Sequence, residues 1–114
     1  MKLIYKDKSI NLIECRKFFS RLKGFMFEKK IDHALLFNTC NSIHTFFMRT
    51  NIDVIMCDRN NNILYFYNNL KRNKIIWPKK KVVKVIELPV DYFNIKIGEK
   101  IQIEKWNSMA VFNF

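Results

Sequence analysis

The sequence predicts a mainly β fold: a small single-domain, barrel-like sandwich of short strands with one short helix near residues 16–23. Three observations predict it. Short apolar runs recur at close intervals: "KLIY", "INLIEC", "ALLFN", "IDVIMC", "ILYFYNN" and "VVKVIEL". Polar turn chemistry separates them, most clearly "DRNNN", because Asn and Asp tolerate left-handed backbone. Only "CRKFFSRLKGFMF" spaces its apolar residues near a helical period. Many short strands with little helix must bury their faces on one another, which means a closed or sandwiched sheet. The chain has 114 residues, 49% of them hydrophobic, and only two Gly and two Pro. One domain over 1–114 is expected, and disordered or collagen-like classes are excluded.

Along the chain, "KLIY" and "INLIEC" form an N-terminal hairpin around "KDKS". Phe18, Phe19, Leu22, Phe25 and Met26 fall near helical spacing, and Gly24 suits a helix stop because it accepts positive φ. "ALLFN" is a strand, "TCNS" a turn, and "SIHTFFMRT" a further strand. If that strand is regular, His44, Phe46 and Met48 share one face, opposite Ile43, Thr45, Phe47 and Arg49. "IDVIMC" follows, with Asp53, Ile55 and Cys57 on one side, and "DRNNN" turns it into "ILYFYNN". "LKRNK" is a polar connection and "VVKVIEL" a strand behind Pro78 and a lysine run. "VDYFNI", after Pro89, reads as a single helical turn. "KIGEKIQIEKW" gives a last strand or hairpin around Gly98, and 105–114 is an apolar tail suited to an edge strand or a contact.

The formal net charge is +11. Such a surplus attracts polyanions, nucleic acid among them. The abundance of Lys, Asn, Ile and Phe also fits the codons of an AT-rich genome, a second source for the same surplus. Cys15, Cys40 and Cys57 are odd in number and widely spaced, which argues for reduced thiols rather than a secreted disulfide framework. "MKLIYKDKSIN" has no apolar core of signal-peptide length, and no run is long and apolar enough to span a membrane. A cytoplasmic location is expected.

"RLKGFMF" resembles the Arg-x-x-Gly-Leu-Met-Phe box of the prokaryotic family called domain of unknown function 192. "TFFMRTNIDVIMCD" is similar to that family's central Phe/Trp-Met-Lys…Pro-Ile/Leu-Asp-Ile…Asp segment, and "VIELPVDYFNIKIGEKIQI" to its Val-Leu-Glu-Leu-Pro-Ala-Gly…Gly-Ile-Lys-Val-Gly-Asp ending. The boxes stand in order over about residues 10–104. The resemblance implies a small, mainly β barrel-like sandwich with a short helix, and no established activity. Asn51 stands where the family has Pro, Val90-Asp91 where it has Ala-Gly, and Glu28 where a basic residue is common.

Four sets of residues are candidates for chemistry. In the first, Arg49 and Asp53 bring a cation and a carboxylate to the mouth of the sheet, with Arg21, His44 and Glu87 joining them to hold an anionic small molecule or a peptide. The competing account is structural: Asp53 caps the 49–51 turn and pairs with Arg49, because buried polar groups must be satisfied in any case. In the second, Lys71, Arg72, Lys74, Lys79, Lys80, Lys81 and Lys84, with Trp77, Tyr65 and Tyr67 between or near them, could hold phosphates while the aromatics stack on bases. Against it, the same pattern describes a solvated hairpin rim.

In the third set, Cys40 and His44 make half a zinc site that Cys57 and His33 could complete, or Cys40 is a thiol nucleophile with His44 or His33 as its base. Four-ligand spacing and an oxyanion-hole glycine are missing, and buried thiols and imidazoles are common in cores. The fourth is a small hydrolase or transferase around His44 and Asp53. The lack of a glycine-rich phosphate loop argues against P-loop nucleotide hydrolysis and a dinucleotide fold. No metal and no cofactor are expected. The leading expectation is a non-enzymatic binding or accessory module, with nucleic-acid binding second and the enzyme third.

Overall fold

The computed structural model describes residues 1–17, 21 and 23–105. Their order is β1 (Lys2–Tyr5), β2 (Lys8–Glu14), β3 (Ala34–Asn38), β4 (Ile43–His44), β5 (Ile52–Cys57), β6 (Ile63–Leu70), β7 (Ile75–Ile76), β8 (Lys84–Leu88) and β9 (Gln102–Glu104). The protein is mainly β. Seven strands make one sheet in the order β6-β5-β8-β3-β2-β1-β9, and β4 pairs with β7 apart from it.

Each pairing has a local cause. β1 and β2 form a tight hairpin with Tyr5 opposite Lys8, and Lys6 takes the positive φ that the turn requires. Ile10 and Leu12 alternate inward along β2 with exposed neighbours, as expected of a strand buried on one face. β2 runs parallel to β3, so the chain between them must cross over before it re-enters the sheet. β3, β5 and β8 are the central strands and are almost wholly buried on both faces. That accounts for their near-continuous apolar runs.

The sheet curls until its far edges meet at one end. Asn62, just before β6, bridges Lys100, just before β9. Ile63 N–H donates to Glu99 O at 2.8 Å, Gly98 N–H to Ile63 O at 2.8 Å, and Ile101 N–H to Asn61 O at 3.1 Å. The result is a half-barrel. Its interior packs Leu3, Leu12, Leu36, Ile55, Ile86, Leu88 and Phe93. A second apolar cluster covers the outer face of the central strands, where Leu35, Phe37, Val54, Met56 and Val85 meet Phe25, Met48, Ile76 and Val82. The second layer comes from the crossover after β2 and from the β4–β7 flap.

Two expected elements differ. The strand over 42–50 ends at His44. Thr45 is pulled into the 71–74 loop instead. Its hydroxyl donates to Lys71 O and accepts from Lys74 N–H, both at 2.8 Å, and its own N–H donates to Lys74 O at 2.8 Å. Phe47 then takes φ +62°. The expected two-face alternation therefore breaks, leaving Thr45 and Met48 buried and Phe46 and Phe47 exposed. "VDYFNI" is a turn rather than a helical one, because Asp91 takes φ +61° with its N–H fixed on Asp53. Arg21 N–H donates to Lys17 O at 2.9 Å, a helical separation, but half of the helix expected over 16–23 lies outside the described residues. So does nearly all of the apolar tail expected over 105–114. Among the described residues no helix is long and apolar enough to cross a membrane.

Candidate functional site

Between the outer face of the sheet and the layer that covers it lies a cavity of about 520 Å³. Its floor is Phe37 on β3 with Val85 and Glu87 on β8. One wall is Lys23, Gly24, Phe25 and Met26; the other is Ile43, His44, Phe46 and Met48. Ile75, Ile76, Trp77 and Pro78 make the outer lip, where Trp77 is 68% exposed. The lining is predominantly apolar.

Glu87 is the exception at the base. It is 5% exposed, and its Oε1 has no hydrogen-bond partner among the described residues. Burial pushes its carboxyl up to about 7, and the Phe25 backbone N–H, which donates to it, pulls the other way. Gly24 closes over it at φ +50°, and a Cβ there would lie 3.0 Å from Oε1. The glycine in the "RLKGFMF" box is therefore required twice, by its backbone angle and by the carboxyl beneath it. The Cys15 thiol is raised first by burial and then by the nearby Glu87 carboxylate.

Four other polar lining residues are already engaged. Arg21 donates from Nη1 to Asn38 O at 2.8 Å and from Nη2 to Thr39 O at 3.4 Å. Lys23 pairs with Glu28 at 3.5 Å. His44 stacks on Phe46 with ring centroids 5.4 Å apart, and its Nδ1 lies 3.3 Å from the Phe46 N–H. With that bond made, the neutral ring carries its proton on Nε2. Cys40 Sγ donates to Ser42 O at 3.2 Å. That bond turns the thiol toward a carbonyl, and no hydrogen bond joins it to His44 among the described residues. Likewise no group of three or more His, Cys, Asp or Glu converges among them.

The five residues expected around one ligand are thus split. Arg21, His44 and Glu87 line the cavity. Asp53 does not. Glu87 pairs in register with Val54 and Leu88 with Asp53, so the two carboxyls point to opposite faces of the sheet. Asp53 is fully buried, and Oδ1 accepts from Asn69 N–H at 2.7 Å and Asn68 Nδ2 at 3.0 Å while Oδ2 accepts from Asp91 N–H at 2.9 Å. Burial still raises its carboxyl above the ordinary value, against these donors. Arg49 is exposed, is not among the donors to Asp53 and does not reach the cavity. The Arg49–Asp53 pair and the cap on the 49–51 turn are therefore corrected: Asp53 ties β5 to β6 and to the turn after β8. A site joining His44 to Asp53 fails for the same geometric reason.

The basic run is also divided. Lys71, Arg72, Lys74, Lys80 and Lys81 are exposed, as is Trp77. Lys79 lies 5.6 Å from the Tyr65 ring, and Lys84 donates to Asn61 Oδ1. Sequence reasoning missed the apolar lining, Met26, Phe46, Met48, Ile75 and Pro78 among them. The one local signal was Gly24 beside Arg21 in the first box.

A model of the family domain of unknown function 192, described as an uncharacterized ACR, matches residues 2–103. A UPF0127 protein of Thermococcus kodakarensis is 33% identical over 95 residues, covering 78% of this chain and 60% of the relative. One from Thermococcus sibiricus is 35% identical over 99 residues, covering 76% of this chain and 62% of the relative. The chain thus spans about three-fifths of the length of these curated relatives. A solved protein of unknown function from Novosphingobium aromaticivorans superposes with a TM-score of 0.76 at 13% identity, over 90% of this chain and 82% of that one. A putative transcription regulator from Sinorhizobium meliloti gives 0.73 at 16%, over 89% of each. At those identities the two structures share the fold.

Proposed function

For this chain, which belongs to the domain of unknown function 192 family, we propose a binding module that takes a small, mostly apolar group into the cavity above Glu87. One observation carries the reading: a cavity of about 520 Å³, apolar except for a buried carboxyl with an unpartnered oxygen, opens beside an exposed tryptophan. Ligand sites commonly have this size and this pattern of few polar groups on apolar walls. An anionic ligand, expected from Arg49 and Arg21, is less suited here, because Arg21 is bound to carbonyls and Glu87 repels a second carboxylate. The engaged Cys40 thiol and the separation of His44 from Asp53 favour binding over hydrolysis or transfer.

A fragment screen read by amide and indole NMR shifts tests this. Neutral apolar fragments should move the signals of Gly24, Phe25, His44 and Trp77 together. Shifts confined to other parts of the sheet, or no shifts from any fragment, would remove the reading.

A second reading, nucleic-acid binding, is favoured by one observation: Trp77 stands 68% exposed among exposed Lys71, Arg72, Lys74 and Lys80. It predicts retention of single-stranded oligonucleotides at low salt that falls steeply as salt rises and weakens on neutralising those four cations. Retention that ignores both would dismiss it.

A further inference from the structure

Among the described residues no ion pair to Glu87 is formed. The residue lies in the interior of the outer cluster. The two cations in the cavity wall are committed elsewhere, Arg21 to the Asn38 and Thr39 carbonyls and Lys23 to Glu28. A buried carboxylate is costly unless it is paired and hydrogen-bonded. Here one backbone N–H, that of Phe25, serves the group and Oε1 is left open. Above it, Phe25, Phe46 and Trp77 present aromatic surface to the same cavity.

We propose that the cavity selects an amine: a ligand with an apolar body whose protonated amino group pairs with Glu87. This rests on the cavity being a binding site and names the chemistry of its occupant. An ammonium supplies both the countercharge and the hydrogen-bond donors that the carboxylate lacks. Where the face of one of these aromatic rings meets the ligand, it favours a cation over a neutral group of the same shape, because a ring face attracts positive charge. Selection comes from what each rival leaves unsatisfied. A neutral alcohol donates to Oε1 but brings no charge, and a carboxylate meets one already there.

The test uses three probes of nearly equal shape, 2-phenylethylamine, 2-phenylethanol and 3-phenylpropanoate, titrated into the whole chain at neutral pH and followed by NMR. The amine should bind at least about tenfold more tightly than the alcohol, and the acid more weakly than either. In Glu87→Gln the amine's advantage should disappear while the alcohol keeps its affinity within about twofold, since the amide preserves shape and removes only charge. If the alcohol binds in the cavity as tightly as the amine, amine selection is wrong and the binding site stands. If none of the three moves a cavity signal, both fall. The ranking on the unaltered protein decides the matter even if the variant does not fold.

Discussion

Asp53 and Glu87 sit on paired strands, are both buried, and differ in what surrounds them. Asp53 accepts three hydrogen bonds and holds three segments together. Glu87 receives one and keeps an open oxygen. The first is a structural knot, the second a poised group. Replacing Asp53 with Ala orphans the Asn69 and Asp91 N–H groups, which should cost about 2–4 kcal/mol. Urea unfolding measures it; a loss below about 0.5 kcal/mol, the range of ordinary surface changes, would contradict the role assigned to this carboxylate. The sequence displayed the polar residues, but the donors to Asp53 stand 15, 16 and 38 residues away. Nothing local to "NIDVIM" points at them. Asp91 takes φ +61°, a conformation glycine adopts without cost.

At the scale of elements, the strands were legible wherever the pattern was local. "KLIY", "ALLFN", "IDVIMC" and "ILYFYNN" fold where alternation or β-rich apolar runs put them, and "DRNNN" turns where Asp58 can accept from the Asn60 and Asn62 N–H groups at 2.9 and 3.0 Å. The failures share a cause. "SIHTFFMRT" carries a strand composition, yet Thr45 bonds to a loop 26 residues on, and that contact outweighs propensity. The expected helical turn at "VDYFNI" loses to the bond between Asp91 N–H and Asp53 in the same way. Of the site, Arg21 and Glu87 were visible as polar residues inside recognisable boxes, and His44 stood just before one. The cavity was not, because it exists only where the β4–β7 flap and the crossover after β2 come to lie over one face of the sheet.

At the scale of the whole molecule, curling the sheet gives the central strands two buried faces of different character. The inner face fills the half-barrel with Leu3, Leu36, Ile55 and Ile86. The outer face, covered by a separate layer, keeps a cavity and puts a buried carboxyl with an open oxygen at its base. A net charge of +11 adds long-range attraction for polyanions, whereas the cavity itself is apolar and acidic at its floor. The chemistry of the cavity therefore turns on whether Glu87 is held away from water without a protein cation. Site-resolved ¹³C NMR of its side-chain carboxyl across pH measures that directly. The midpoint should lie near 7, well above the ordinary glutamate value of 4.5. A midpoint at or below 4.5 would mean a solvated or ion-paired carboxylate, and would contradict the cavity as described.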